Sequence, residues 1–173
     1  MLVAVTGTPG TGKSSVCDVL ARHGYHVVDL DAAAKELGLT ETDEEGTILV
    51  DVEALAEKLH VGTKVAFLKG HYAHRMYANE IVVLRCHPRE LWARLEARGW
   101  PVAKVRENVE AEAIDVILQE AVACGPPVHE VDTTATSPER AAAEVLDILR
   151  GQVAGHEPGR IDWSEEVAWI GPR

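Results

Sequence analysis

Residues 1–15 read MLVAVTGTPGTGKSS: an apolar run, Leu2 to Val5, that breaks into Thr6-Gly7-Thr8-Pro9-Gly10-Thr11-Gly12-Lys13-Ser14-Ser15. From Gly7 to Ser14 the spelling is a complete G-x-x-x-x-G-K-[ST]. The chemistry of phosphate explains each residue type. Backbone N–H groups can wrap a phosphate only where no Cβ intrudes, hence the glycines Gly7, Gly10 and Gly12. Lys13 supplies a compact positive charge for β- and γ-phosphates, and the Ser14 hydroxyl is a ligand for Mg²⁺. The helix announced by Val16, Val19 and Leu20 aims its positive end at the same phosphates. A buried strand before the motif and a helix after it are the setting that gives the spelling its meaning. The stretch predicts a nucleoside triphosphate site.

The whole chain narrows the class. Its 173 residues suit one domain with a substantial core, and 46% hydrophobic content suits a globular fold. No apolar run approaches the ~20 residues of a membrane span. The amino-terminal run lacks a basic flank and leads straight into the phosphate loop, so it does not read as a secretory leader. Cys17, Cys86 and Cys124 form an odd set without CxxC spacing, as expected of free thiols in a reducing cytoplasm. The 28 acidic and 17 basic residues give a net charge of −11, which argues against a broad nucleic-acid-binding surface. That charge suits a basic protein partner, and it equally suits plain solubility.

Strands and helices alternate along the chain. Leu2–Val5 reads as the first strand and Lys13 to about His23 as the first helix, stopped by Gly24. Tyr25–Val28 is the second strand, followed by a short helix, Ala32–Leu37, that Asp31 can cap. The acidic segment Thr40–Thr47 reads as a loop over the site, and Asp51 caps a helix carrying Leu55 and Leu59. Val65–Leu68 and Ile81–Leu84 are the next strands; Pro88 opens a helix running to Gly99. Beyond Trp100-Pro101 the spacing predicts one long helix. Val102, Val105, Val109, Ala113, Val116 and Ile117 lie on its inner face, with Lys104, Asn108, Glu112, Asp115 and Gln119 towards the other. Val128–Asp132 is the fifth strand, and Ser137-Pro138 starts a helix to about Arg150. The pattern implies a parallel sheet with helices on both faces, its ligands beyond the carboxyl ends of the strands. That edge gathers Gly7–Ser15, Asp29, Asp31, Lys69–His71, His87 and Asp132–Thr134. After Arg150 the chain changes character, and a tail carrying Trp163 and Trp169 either packs back on the body or docks a partner.

Several residues could act beside the phosphate loop. Arg94 and Arg98, four apart, flank the Gly99-Trp100-Pro101 break, from which an arginine on a flap can reach a transferring phosphate. A helix carboxyl end also favours arginine by its dipole alone, and Arg98 is better placed than Arg94 for the first role. Lys104 is a phosphate contact or a surface lysine. His71 and His74 have the spacing of metal ligands, but no cysteine or further histidine joins them nearby, so hydrogen bonding is the preferred role for His71. Asp29 and Asp31 stand where an acceptor nucleotide or Mg²⁺-bound water could be met.

GTPGTGKSS, VVDLDAAAKELGL, Lys69-Gly70-His71, RLEARGW, the ENVEAEAIDVILQEA helix, VHEVDTT and the tail IDW follow in an order that resembles the atypical adenylate kinases of the isoenzyme-six type. The likeness covers about residues 1–150, and the tail resembles archaeal members. It implies a P-loop NTPase of the α/β class, with the nucleoside-monophosphate-kinase three-layer fold and a five-stranded parallel sheet. A monophosphate flap near residues 30–50, a lid near 97–107 and a separate tail, 151–173, would complete it. Gly10, Thr11, Gly12, Lys13, Ser14, Ser15 and Arg98 would contact ATP, Ser14 would hold Mg²⁺, and Lys13, Arg98 and His71 would serve the transfer to AMP. The resemblance further implies ATPase activity in maturation of the small ribosomal subunit, with a basic platform protein of that subunit as partner. Two other functions stay open: a nucleotide-gated assembly factor with vestigial catalysis, and a kinase of nucleosides or small metabolites. One position departs from the family, which usually has an acidic residue two before the histidine, where this chain has Lys69. A lysine ammonium ~4 Å from Mg²⁺ would be repelled by about 8 kcal/mol at an effective dielectric near 20. Lys69 therefore points elsewhere or touches a phosphate directly.

Overall fold

The computed structural model describes residues 1–43, 46 and 48–170. Strand β1 (Leu2–Thr6) is central because both of its faces are apolar. It pairs in parallel with β5 (Ala66–Lys69) on one side and β6 (Glu80–Arg85) on the other. Outside these lie β2 (His26–Asp29) and β7 (Val128–Asp132), giving a five-stranded parallel sheet of order β2-β5-β1-β6-β7. This is the P-loop kinase-like α/β fold.

The two-residue period of the strands sorts the core. Val3, Val5, Phe67, Val82, Leu84 and Val131 face α1 (Lys13–Arg22) and α7 (Pro138–Leu149). Ala4, Leu68, Ile81, Val83 and Val128 face α2 (Leu30–Glu36), α3 (Val52–Lys58) and α6 (Val116–Ala123). A third cluster joins α4 (Pro88–Ala97), α5 (Val102–Ala113) and α8 (Val167–Ile170) around Leu91, Leu95, Val105, Val109 and Ile170.

Local readings of the sequence change in four places. The cap of α2 is Asp29, not Asp31: its carboxylate accepts from the amides of Asp31 and Ala32, so the helix begins at Leu30. The expected loop over Thr40–Thr47 is in part a strand, since β3 (Thr40–Thr42) pairs antiparallel with β4 (Ile48–Val50). Glu44, Glu45 and Thr47 of that segment lie outside the described residues. The long helix after Pro101 is two helices, broken where Asp115 adopts φ 60° and turns its carboxylate onto Arg85. Glu112, placed on the polar face by periodicity, is buried at 3% exposure.

The tail packs back on the body. Trp163 meets the His87 ring edge-on at 4.7 Å, Trp169 meets Trp92 at 5.6 Å, and Arg89 lies over Trp169 while its guanidinium pairs with Glu166 at 2.8 Å. Ile170 is 2% exposed in the cluster that α4 and α5 share. Truncating it opens a cavity, so Ile170→Ala is expected to cost about 2–4 kcal/mol, measured by urea unfolding. An unchanged midpoint would mean the tail adds nothing to the core.

Candidate active site

The phosphate loop, Gly7 to Gly12, leaves the carboxyl end of β1 in a shape that only glycine allows at two points. Gly7 has φ +135° and a Cβ there would stand 2.4 Å from the Leu84 carbonyl oxygen; Gly10 has φ +98° and a Cβ would stand 2.7 Å from Leu91. Gly12 is the cap residue of α1 and brings no side chain to the helix amides. A glycine-lined cradle closed by uncapped helix amides is built for an anion, and these residues fit a nucleotide phosphate.

Lys13 reaches back over the loop, donating to the carbonyls of Gly7 at 2.6 Å and Thr8 at 3.1 Å. Burial pushes its ammonium down to about 8, against the pull of Glu112 and Asp31; the positive charge of Arg98 pushes the same way as burial. The charges felt at this lysine thus come from α5, α2 and the end of α4. Ser14 and Ser15 stand exposed in the first turn of α1. Thr11 is buried, and its hydroxyl donates to Thr8 O at 2.9 Å, so its side chain braces the loop.

The second shoulder of the cleft follows β2 and β5. Tyr72 donates its hydroxyl to Asp31 at 2.9 Å. The exposed His71 ring sits edge-on to Tyr72; partial desolvation first, then the nearby Lys13, holds it below its ordinary value. His74 is buried between Thr6 and Glu120, at 3.1 Å from each, and is a core residue. Among the described residues no cluster of three His, Cys, Asp or Glu side chains is disposed to hold a metal. Cys17 and Cys86 are buried, and burial drives both thiols up to about 12, out of nucleophilic range.

Lys69 points elsewhere than at phosphate. Its ammonium lies 2.5 Å from the Asp29 carboxylate, the partner directly across the β2–β5 register. Partial burial acts to raise Asp29, but the hydrogen bond and charge of Lys69 together with the amides of Ala32 and Asp31 outweigh it and hold the carboxyl below its usual range. Burial likewise acts to lower Lys69, and the hydrogen bond and charge of Asp29, with smaller help from Cys17 and Asp18, overcome it. Lys69→Met is therefore expected to cost about 1 kcal/mol at neutral pH, because the pair is partly exposed, and to leave ATP affinity intact. A carboxyl with a depressed folded value stabilises above its unfolded value and loses that contribution as pH falls. The stability gap between wild type and Lys69→Met should thus be flat near neutrality and close below about pH 4. A large loss of ATP affinity in this variant would return Lys69 to the phosphates.

The arginines separate. Arg98 ends α4 exposed, at the break before α5. Arg94 instead binds the loop after β7, donating to the carbonyls of Thr133 at 2.7 Å and Thr134 at 3.0 Å and to Glu90 at 2.9 Å. Lys104 lies over the Trp100 ring at 5.2 Å.

Behind the loop stands a buried ionic cluster that periodicity did not reveal. Arg85, 1% exposed, pairs with Glu112 at 2.8 Å and also with Asp115 and Glu130. Glu112 accepts in addition from the Thr8 hydroxyl at 2.5 Å and from the Cys86 amide at 3.0 Å. Glu130 accepts from the tail amides of Arg160 at 3.0 Å and Ile161 at 3.5 Å. The signal in the sequence was a charge set among the apolar residues of each of two strands, Arg85 in IVVLRC and Glu130 between His129 and Val131 in VHEVD.

The sequence model of an AAA domain matches residues 3–115. A protein of Archaeoglobus fulgidus named "Putative adenylate kinase" is 41% identical over 170 residues, 96% of this chain and 94% of its own length. One of Methanosarcina barkeri with the same name is 40% identical over 182 residues, covering 96% and 100%. Among solved structures, a shikimate kinase from Acinetobacter baumannii superposes with TM-score 0.62 at 14% identity, over 88% of this chain and 94% of that one. A deoxyadenosine kinase from M. mycoides gives 0.57 at 13%, over 87% and 100%. At such identity the structural likeness speaks for the fold alone. With about 40% identity held over nearly its full length and a phosphate loop on the kinase fold, the chain belongs to the nucleotide-kinase family that these archaeal relatives represent.

Proposed function

We propose that the chain is an ATP:AMP phosphotransferase, forming two ADP from ATP and AMP with a slow ATPase beside it. The observation that carries this reading is the glycine-lined loop with Lys13 folded over its Gly7 and Thr8 carbonyls, at the strand edge where Asp31 follows β2 and Arg98 ends α4. Donor and acceptor phosphates meeting at Lys13 would lie between these two flanks. AMP as the acceptor is supported by the names of the relatives.

The work of the protein is positioning and charge neutralisation. The amides of the loop and of the first turn of α1 hold the ATP phosphates, and Lys13 leaves the Gly7 and Thr8 carbonyls to lie along the transferred group. Ser14 is the residue that would hold Mg²⁺, which when bound supplies further neutralisation of phosphate oxygens. Arg98 moves with the lid, residues 97–107, and adds its charge as the site closes. His71 and Asp31 line the acceptor side, Asp31 from the start of the flap region near residues 30–50, and orient the attacking oxygen.

The test is ADP production from ATP and Mg²⁺ with and without AMP. Turnover that rises with AMP and saturates is expected; turnover indifferent to AMP but raised by a nucleoside or a small hydroxyl metabolite would replace the acceptor. A use of this activity in small ribosomal subunit maturation rests on the resemblance of the sequence and on the charge of −11, which suits a basic platform protein. A stoichiometric complex with such a protein, altered by ATP, is the expected result of co-purification, and no complex at physiological salt would remove that role.

A further inference from the structure

Thr8 is the junction of the phosphate loop. Its carbonyl receives Lys13 at 3.1 Å, the Thr11 amide at 3.2 Å and the Thr11 hydroxyl at 2.9 Å, while its own hydroxyl points away to Glu112 at 2.5 Å. Glu112 cannot turn to follow, because its other oxygen is fixed by Arg85 at 2.8 Å and the Cys86 amide at 3.0 Å. An apolar residue at this point of α5 would pack against β6 with no carboxylate to desolvate. The carboxylate is instead aimed at the one side chain of the loop whose main chain carries Lys13 and Thr11.

We propose that Glu112 is a positioning residue for ATP: through the Thr8 hydroxyl it fixes the phosphate loop in its binding shape and ties it to α5, the helix that follows the lid. The inference rests on the ATP site proposed above and not on the identity of the acceptor. Charge-assisted hydrogen bonds are the stronger kind, and a preformed loop spares ATP the cost of ordering it. The effect therefore falls on affinity for ATP.

Glu112→Leu also unbalances Arg85, so the decisive variant is Thr8→Val, which removes the hydroxyl and keeps the shape. The full chain is titrated with Mg-ATP in a calorimeter, and its melting temperature is followed in parallel. Thr8→Val should weaken ATP binding about tenfold, and Thr8→Ser should restore it to near wild type. Asp115→Asn takes a different carboxylate from the same Arg85 and does not touch the loop; it should lower the melting temperature and leave the Kd for ATP unchanged. A merely structural role predicts instead that Thr8→Val and Asp115→Asn behave alike. That result, or a Thr8→Val Kd within twofold of wild type, overturns the proposal. A wild-type chain that does not bind ATP overturns the site and this inference together.

Discussion

Lys13→Ala is expected to lower ADP formation from ATP and AMP by about a thousandfold, the loss found when one preorganised charge-stabilising donor is removed from an enclosed site. The size follows from where the ammonium stands. It lies partly buried over the loop, held by the Gly7 and Thr8 carbonyls, at the point where the proposed transfer would take place. No side chain of comparable charge shares its place at the head of α1, since the next residues are Ser14 and Ser15. The lysine's hydrogen bonds run to two main-chain oxygens of the loop, so the fold does not depend on it. The melting temperature of Lys13→Ala should stay near that of wild type while turnover collapses. The assay couples ADP to a spectroscopic readout at saturating AMP and varied ATP. Retention of more than about a tenth of wild-type kcat/KM would contradict the place given to Lys13 in the transfer.

The phosphate loop was legible because its chemistry forces a spelling: glycine where a Cβ would strike Leu84 or Leu91, lysine where phosphate charge collects. The sheet was legible for a related reason, since strands buried on both faces read as unbroken apolar runs such as Ile81–Leu84. What escaped was set by partners far away in sequence. Glu112 sits on α5 where a 3.6-residue period marks a polar side, yet Thr8 and Arg85, 104 and 27 residues away, draw it inward. The break at Asp115 has the same origin, because a continuous helix would not turn that carboxylate onto Arg85. The cap of α2 moved from Asp31 to Asp29 because Asp31 is engaged by Tyr72, a contact across 41 residues. Lys69, a puzzle when compared with family members, is answered by Asp29 on the neighbouring strand.

Arg85→Leu is expected to destabilise the fold strongly. Arg85 is 1% exposed and serves three carboxylates, two of which, Glu112 and Glu130, are as deeply buried as it is. Burial disfavours the charged guanidinium, but Glu112, then Asp115 and Glu130, more than offset it. Leucine fills much of the space and takes away every positive charge that faces these acids within the cluster. Breaking a buried pair from one side costs about 3–5 kcal/mol, a large part of the roughly 5–15 kcal/mol that holds a domain together. With a urea dependence of about 2 kcal/mol per molar, the unfolding midpoint should fall by about 2 M. A shift below about 0.5 M would show the carboxylates to be neutral or solvated without their partner. Replacing the core of the cluster together, in Arg85→Leu with Glu112→Met and Glu130→Met, removes the two buried carboxylates, leaves only the partly exposed Asp115 unpaired within the cluster and should recover most of that midpoint, since apolar substitutes for buried ion pairs are often neutral or better. The same triple variant leaves the Thr8 hydroxyl without Glu112 and the Arg160 amide without Glu130. It should therefore fold and still bind ATP weakly, which separates the charge balance that stabilises the domain from the one contact that shapes its phosphate loop.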